Sequence, residues 1–475
     1  MTARFTLAEA ALASAARIER TGTRAIDGVF TDSRKPSPGA AFVALQGDNF
    51  DGSTFAVQAV RDGASAVIVH AHKARAIAGL LDEAKLDASV LAVSDTTRAL
   101  LGLARAHRGR MGGLKTVAIT GSAGKTSTKE LVASVLSAGG KTLKTEGNLN
   151  NEIGVPLTLL QLESDHAFAA VECGMNHLGE LARLAAACDP DVGIVTNVGP
   201  VHLEGCGSIE GVAHAKGELF HALRSTGVAV ANADDARVLA QGKLSGRKLM
   251  TFGAAAGSTV RLVAAQHAGP GLEVKLEIDG ALRTAELQLL GLHNGLNACA
   301  AAAAGLALDL SLEAILHGLS LARTPGRRMR PVLLPNGGLL IDDCYNANPA
   351  SVRAALLTIA TLLRSNGRAI LVLGDMLELG PTELDLHRET GAVAASISPA
   401  LLVCFGPRAR SLGEGAIAAG MPAASVLFTE VPDDAVRMVQ EHARQSDVIL
   451  VKGSRGMRME RISDPLSGAA AQGAH

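Results

Sequence analysis

Short apolar runs, each closed by a polar residue or glycine, recur along this chain of 475 residues and alternate with longer segments of helical composition. Such alternation predicts an α/β fold whose strands are buried on both faces and deliver polar groups at their ends. The length exceeds what one core supports, and three blocks emerge. The first, 1–95, has strand signals at 41–45, 66–69 and 90–93 among alanine-rich helices. The second, 96–322, opens on a strand at 116–120. Candidate parallel strands follow at 168–172 and 192–197, then strands at 228–231 and 248–252, a hairpin-like alternation over 260–287 and a helix over 295–308. The third, 323–475, begins near a Thr324-Pro-Gly turn and places strands at 339–342, 369–373, 401–405, 426–428 and 448–451 with helices between. It reads as a Rossmann-like domain, although no Gly-x-Gly-x-x-Gly fingerprint marks a dinucleotide site. Residues 467–475 are small and polar, and disorder is expected there.

One strand leads into a turn of distinct chemistry. Thr120-Gly121-Ser122-Ala123-Gly124-Lys125-Thr126-Ser127 brackets bare backbone amides with glycines, then supplies a cation and hydroxyls at a helix start. A phosphate chain needs that set. Lys125 would reach the outer phosphates and Thr126 would hold Mg²⁺. The longer consensus loop has a glycine where this chain has Ile119, so the loop is the abbreviated form. It points to ATP and away from motors and GTPases.

Composition narrows the classes. Lys plus Arg number 45 and Asp plus Glu 46, so no global field draws the chain to nucleic acid or anionic lipid. With no Trp, one Tyr and ten Phe, there are few platforms for stacking bases. Six cysteines without Cys-x-x-Cys spacing read as small hydrophobes in a reducing compartment. The first residues lack a secretory core, and no apolar stretch is long enough for a bilayer. A soluble, cytoplasmic protein is expected.

Further polar residues gather at strand ends. Glu172 closes one strand, and Asn197 closes another ahead of His202. Glu172 and His202 beside a phosphate loop suit a metal, although a lone histidine there also reads as a hydrogen-bonded loop residue. Asn148, Asn150 and Asn151 suit either a polar substrate or an Asx-rich turn. Lys216, in a helical stretch, reads unaided as a surface lysine. Asn294 and Asn297 share a helix face, where one of them could be an N-cap.

Eight motifs, in order, resemble the Mur ligases of peptidoglycan synthesis over nearly the full chain. They are Thr120-Gly-Ser-Ala-Gly-Lys-Thr126, Glu146-Gly-Asn-Leu-Asn-Asn-Glu-Ile-Gly-Val-Pro156, Asn197-Val-Gly-Pro-Val-His-Leu-Glu204, Ala215-Lys-Gly-Glu218, His293-Asn-Gly-Leu-Asn297, Asp342-Asp-Cys-Tyr-Asn-Ala-Asn-Pro349, Gly374-Asp-Met-Leu-Glu-Leu-Gly380 and Lys452-Gly-Ser-Arg455. The last three resemble the family's final, dipeptide-adding member. The resemblance implies three domains: a small N-terminal α/β domain for a UDP-sugar, a central phosphate-loop ATPase domain with a parallel sheet, and a C-terminal Rossmann-like domain. It implies that ATP phosphorylates the terminal carboxylate of a UDP-N-acetylmuramoyl-tripeptide, after which D-alanyl-D-alanine attacks the acyl phosphate. It further implies two Mg²⁺ ions held by Thr126, Glu172, His202 and a carbamylated Lys216. Asn294 and Asn297 would face adenine, and Arg327 or Arg328 together with Asp343 would approach the ribose and phosphates. Ser33 and Arg34 of the Asp32-Ser-Arg loop would meet the uridine diphosphate, and Asn346, Asn348, Lys452 and Arg455 the dipeptide. Ser53 stands where relatives often have histidine, which puts the sugar-nucleotide contact there in question. A monomer is expected.

Three other readings compete. A ligase adding a single amino acid, or a folate polyglutamate synthase, would share the abbreviated loop. The synthase would lack the Asp-Ser-Arg and Tyr-Asn-Ala-Asn-Pro segments. A nucleotide-switched binding module would bind ATP but need fewer polar groups at its strand ends.

Overall fold

The computed structural model describes residues 3–47, 50–268, 271–323, 326–363 and 367–468. Thr324 and Pro325 of the turn expected at the third block's border, and the final residues from 469, lie outside them.

The chain divides into two compact units. One comprises Met1–Val263, Leu276–Arg283 and Leu296–Leu321; the other comprises Ala264–Lys275, Thr284–Gly295 and Ala322–His475. Within the first unit, an N-terminal five-stranded sheet runs in the order Arg17–Arg20, Ser89–Val93, Ala66–His70, Ala41–Val43, Val29–Phe30. Only its Arg17–Arg20 edge is antiparallel.

The central sheet begins in the order Thr142–Lys144, Phe168–Glu172, Lys115–Thr120, Val192–Val195, Val228–Asn232, Lys248–Gly253, all parallel. Val260–Ala268, Gly271–Ile278 and Ala281–Leu287 extend it in turn. Val117, Ala118, Ile119, Val171 and Ile194 are fully buried, as strands covered on both faces require. After Lys115–Thr120 the chain builds first to one side and then to the other. The crevice at the carboxyl ends of strands on either side of such a reversal is where ligands bind in open α/β sheets. Register sharpens the point: Ile119 pairs with Glu172 and Thr120 with Val195, so both neighbouring strands end level with the glycine turn.

The second unit contains a six-stranded sheet in the order Arg330–Leu333, Leu339–Asp343, Val448–Lys452, Ala369–Gly374, Leu401–Phe405, Val426–Thr429. All but the Arg330–Leu333 edge are parallel. Asp343 is in register with Lys452, and Lys452 with Leu373, so three motif-bearing strand ends lie side by side. No helix among the described residues is long and apolar enough to cross a membrane.

Candidate active site

Two glycines shape the turn after Lys115–Thr120. Gly121 takes φ +152°, and a Cβ there would lie 1.8 Å from the Thr196 hydroxyl oxygen. Gly124 is left-handed at φ +79°, and its Cβ would stand 2.9 Å from Asn297 Oδ1. The helix Lys125–Ser137 starts directly afterwards, so its first-turn amides face the turn. Lys125 Nζ donates to the Gly121 carbonyl at 2.7 Å, folding the side chain back over the loop.

The neighbouring strand end holds this loop in shape. Ala123 N–H donates to Asn197 Oδ1 at 2.8 Å, Ser122 N–H to the Asn197 carbonyl at 3.0 Å, and the Thr196 hydroxyl to the Ala123 carbonyl at 2.6 Å. Gly199 N–H donates to Ser122 Oγ at 2.7 Å. Sequence reasoning placed Asn197 at a strand end but gave it no role. The signal was there: an amide side chain closing the strand next to a phosphate loop.

On the other side, Glu172 is buried. Its Oε1 accepts from the Asn150 amide at 2.9 Å, and its Oε2 is buried with no hydrogen-bond partner among the described residues. A buried carboxylate oxygen without a donor is expensive, and a cation relieves that cost. Together with Thr126 at the head of the helix, this donor set fits an oxygen-seeking ion such as Mg²⁺.

The asparagine cluster divides its labour. Asn150 turns to Glu172, whereas Asn151 Oδ1 accepts from Ile153 and Gly154 N–H, forming an Asx turn ahead of the helix Gly154–Leu159. Asn148 is exposed, and its carbonyl accepts from Asn150 N–H.

Lys216 requires a correction. It is not a surface lysine: it is 1% exposed, on the inner face of the helix Ile209–His221, with Nζ 3.9 Å from Met175 Sδ. Periodicity in Ala213, Ala215 and Lys216 buries it with its neighbours. Burial first, then the Lys125 charge, pushes its ammonium down to about 7. His202 has a left-handed backbone at φ 56°, uncommon for a non-glycine residue. Desolvation of the ring, then the Lys216 and Lys125 charges, holds its imidazole below the ordinary value.

Asn297 Oδ1 accepts from the Thr128 hydroxyl at 3.1 Å, which places it beside the phosphate loop. Asn294 is buried and donates to the Leu290 carbonyl at 2.7 Å. In the N-terminal sheet region, Arg34 clasps Asp32 with Nε and Nη2 at 2.8 and 2.9 Å; this pairing holds the Asp32 carboxyl down at about 2. Ser33 lies between them, half-buried. Ser53 donates to Asp51, whose carboxylate also pairs with Lys73.

In the second unit, Lys452 Nζ is buried against Asp343 Oδ2 at 2.6 Å and the Asn346 carbonyl at 2.9 Å. Ser454 Oγ accepts from Leu377 N–H at 2.9 Å and donates to the Ala347 carbonyl at 3.1 Å, tying three motifs together. Arg327 is bound by Asp342, Ser463 and Asp464, while Arg328 lies 3.9 Å over the Tyr345 ring. Asn348 caps the helix Pro349–Leu362 in a reciprocal box with Ser351, and Arg455 pairs with Glu460 at 3.0 Å.

Comparison with known proteins gives this geometry a lineage. Models of the Mur ligase family match in three stretches: its "catalytic domain" at 25–108, the "Mur ligase middle domain" at 119–305 and the "Mur ligase, glutamate ligase domain" at 327–455. The UDP-N-acetylmuramoyl-tripeptide–D-alanyl-D-alanine ligase of Escherichia coli strain K12 is 39% identical over 441 residues, covering 92% of this chain and 93% of its own. A crystal structure of MurF from Acinetobacter baumannii superposes with a TM-score of 0.87 at 31% identity, covering 98% of this chain and 99% of that one. MurF ligase from Thermotoga maritima, solved in complex with ADP, reaches a TM-score of 0.79 at 25% identity, covering 94% and 98%. The three-domain α/β architecture is therefore that of these ligases. Since one relative matches nearly end to end and every domain falls in turn to a model of the same group, the chain belongs to the Mur ligase family.

Proposed function

We propose that this chain is an ATP-dependent ligase that joins D-alanyl-D-alanine to the terminal carboxylate of UDP-N-acetylmuramoyl-tripeptide, in cytoplasmic peptidoglycan precursor synthesis. The observation that carries this reading is the buried Glu172 carboxylate, one oxygen unpartnered, level with a phosphate loop in a chain whose end-to-end relative is named for this reaction.

The substrate carboxylate oxygen attacks the γ-phosphorus, and ADP leaves with the electrons of the broken P–O bond. The dipeptide amine then adds to the acyl carbon and loses a proton. The resulting tetrahedral centre collapses to the amide and expels phosphate. Two anionic groups, the substrate carboxylate and the ATP phosphates, have to be brought together with an amine, so electrostatics and alignment are the main terms. The amides of Gly121–Ser127 cradle the phosphates, and Lys125 swings from the Gly121 carbonyl onto the outer ones. Mg²⁺ held by Thr126 and Glu172, with a second ion near His202, would neutralise the phosphate oxygens. Asn150 holds Glu172 in orientation.

Lys216 enters as a carbamate. An amine that titrates at about 7 has a substantial neutral fraction near neutral pH, and its lone pair can add to the carbon of CO₂ with loss of a proton. That would turn a buried amine into an anionic group able to hold the second ion. Asn294 and Asn297 remain proposed for adenine, and Arg327 or Arg328 with Asp343 for the ribose and phosphates. Ser33 and Arg34 are proposed for the uridine diphosphate. Asn346, Lys452 and Arg455 are proposed for the dipeptide; Asn348 is committed to its helix cap and is the weakest of that group.

The test is a coupled ADP-release assay with the UDP-sugar tripeptide and one acceptor at a time. D-alanyl-D-alanine should drive turnover. Release with meso-diaminopimelate or glutamate alone would transfer the chain to a neighbouring ligase or a polyglutamate synthase.

A further inference from the structure

Lys129 is a charged residue that is only 1% exposed, in the second turn of the helix that begins at the phosphate loop. Burying an ammonium is costly unless it is paired and hydrogen-bonded. Here it pairs with its neighbour Glu130 and donates to the Thr145 carbonyl at 2.7 Å. The other Glu130 oxygen meets Lys144 Nζ at 2.7 Å. Lys144 ends the edge strand Thr142–Lys144 and Thr145 follows it directly; the strand's three residues are only half-buried and bring little core of their own. The ladder to Phe168–Glu172 holds the strand itself, and the Lys129 and Glu130 side chains add a second hold at its end.

Thr145 then acts on Glu172. It is fully buried, donates its N–H to the Ala170 carbonyl at 3.1 Å, and accepts the Glu172 N–H on its hydroxyl at 3.0 Å. Helical spacing puts Lys129 one turn after Lys125, and Glu130 one turn after Thr126. The first turn of the helix thus presents the phosphate-loop cation and hydroxyl. Its second turn grips the strand end to which the Glu172 backbone is bonded.

We infer that Lys129, Glu130 and Thr145 form a clamp that positions Glu172 against the phosphate loop, so that the spacing between Thr126 and the unpartnered carboxylate oxygen is fixed before any ion arrives. The inference rests on the reading of Glu172 as a metal-holding residue. Residues behind metal ligands change metal affinity by about 10- to 100-fold when lost.

The experiment is Mn²⁺ binding, read by electron paramagnetic resonance, to the full chain with a non-hydrolysable ATP analogue. Lys129→Met and Thr145→Val should each weaken Mn²⁺ binding about ten-fold, Thr145→Ser should restore it, and Lys144→Met should change it less than about two-fold. Metal-free nucleotide affinity should hold in all four. Thr145→Val is nearly isosteric, so it keeps the test open even if Lys129→Met does not fold. Unchanged Mn²⁺ binding in folded Thr145→Val, with binding lost in Glu172→Gln, would overturn the clamp alone. Unchanged binding in Glu172→Gln would remove the metal reading and the clamp with it.

Discussion

The Asn150 amide donates to one oxygen of the Glu172 carboxylate at 2.9 Å, and the other oxygen of that group is buried with no hydrogen-bond partner among the described residues. The amide fixes the plane of the carboxylate, which decides where the second oxygen points. An acceptor left bare in the interior costs about 1–3 kcal/mol, so the arrangement is worthwhile only if a cation completes it. Asn150→Ala should therefore raise the Mg²⁺ concentration needed for half-maximal turnover about ten-fold, with the KM for D-alanyl-D-alanine little changed. An equal rise in both would mean that Asn150 serves the acceptor instead.

Lys216 gives a pH signature of known sign. Its folded value is about 7 against an ordinary 10.5. Between those values the unfolded chain binds one more proton than the folded chain, so stability increases as pH rises through that window. The penalty is complete below about 7. Lys216→Met should stabilise the unmodified protein most at low pH and lose that advantage above about 10. The same titration governs carbamate formation: the ¹³CO₂-derived signal should grow as pH rises through about 7 and be missing in Lys216→Ala. Added short-chain carboxylates should partly rescue that variant's activity. Near-normal activity without them would remove the carbamate from the mechanism.

Lys452 and Asp343 form a buried ion pair with 3% and 9% side-chain exposure. Removing one partner strands the other charge, at a cost of about 3–5 kcal/mol. Lys452→Met should lower the thermal midpoint clearly, and Lys452→Met with Asp343→Leu should recover part of the loss. A single variant as stable as the parent would contradict the pairing.

Ser33 lies between Asp32 and Arg34, whose side chains already clasp each other. Ser33→Ala should raise the KM for the UDP-sugar tripeptide by more than that for ATP. Equal effects would place the sugar nucleotide elsewhere.

Most of the scaffold was legible in the sequence because it is locally encoded. The strand Phe168–Glu172 and the other central strands are apolar runs, and the phosphate loop is a contiguous pattern of glycine, lysine and hydroxyl. Edge strands were not legible. Arg17–Arg20, Thr142–Lys144 and Arg330–Leu333 are short and half polar, and they exist because a neighbour supplies the ladder. Site residues divided in the same way. Gly121, Lys125 and Thr126 announce themselves. The burial of Lys216 depends on what its helix packs against, and the hold of Asn197 on Ala123 depends on which strand lies beside which. Asn150 and Asn151 are identical in type and adjacent in sequence, and only the fold assigns one to Glu172 and the other to a turn.

The most direct test of phosphoryl transfer to the substrate carboxylate follows the oxygen. UDP-N-acetylmuramoyl-tripeptide labelled with ¹⁸O in its terminal carboxylate, turned over with unlabelled ATP and D-alanyl-D-alanine, should yield inorganic phosphate carrying one ¹⁸O atom per amide formed. Phosphate free of the label, with amide still produced, would contradict an acyl-phosphate route through the Gly121–Lys125 turn.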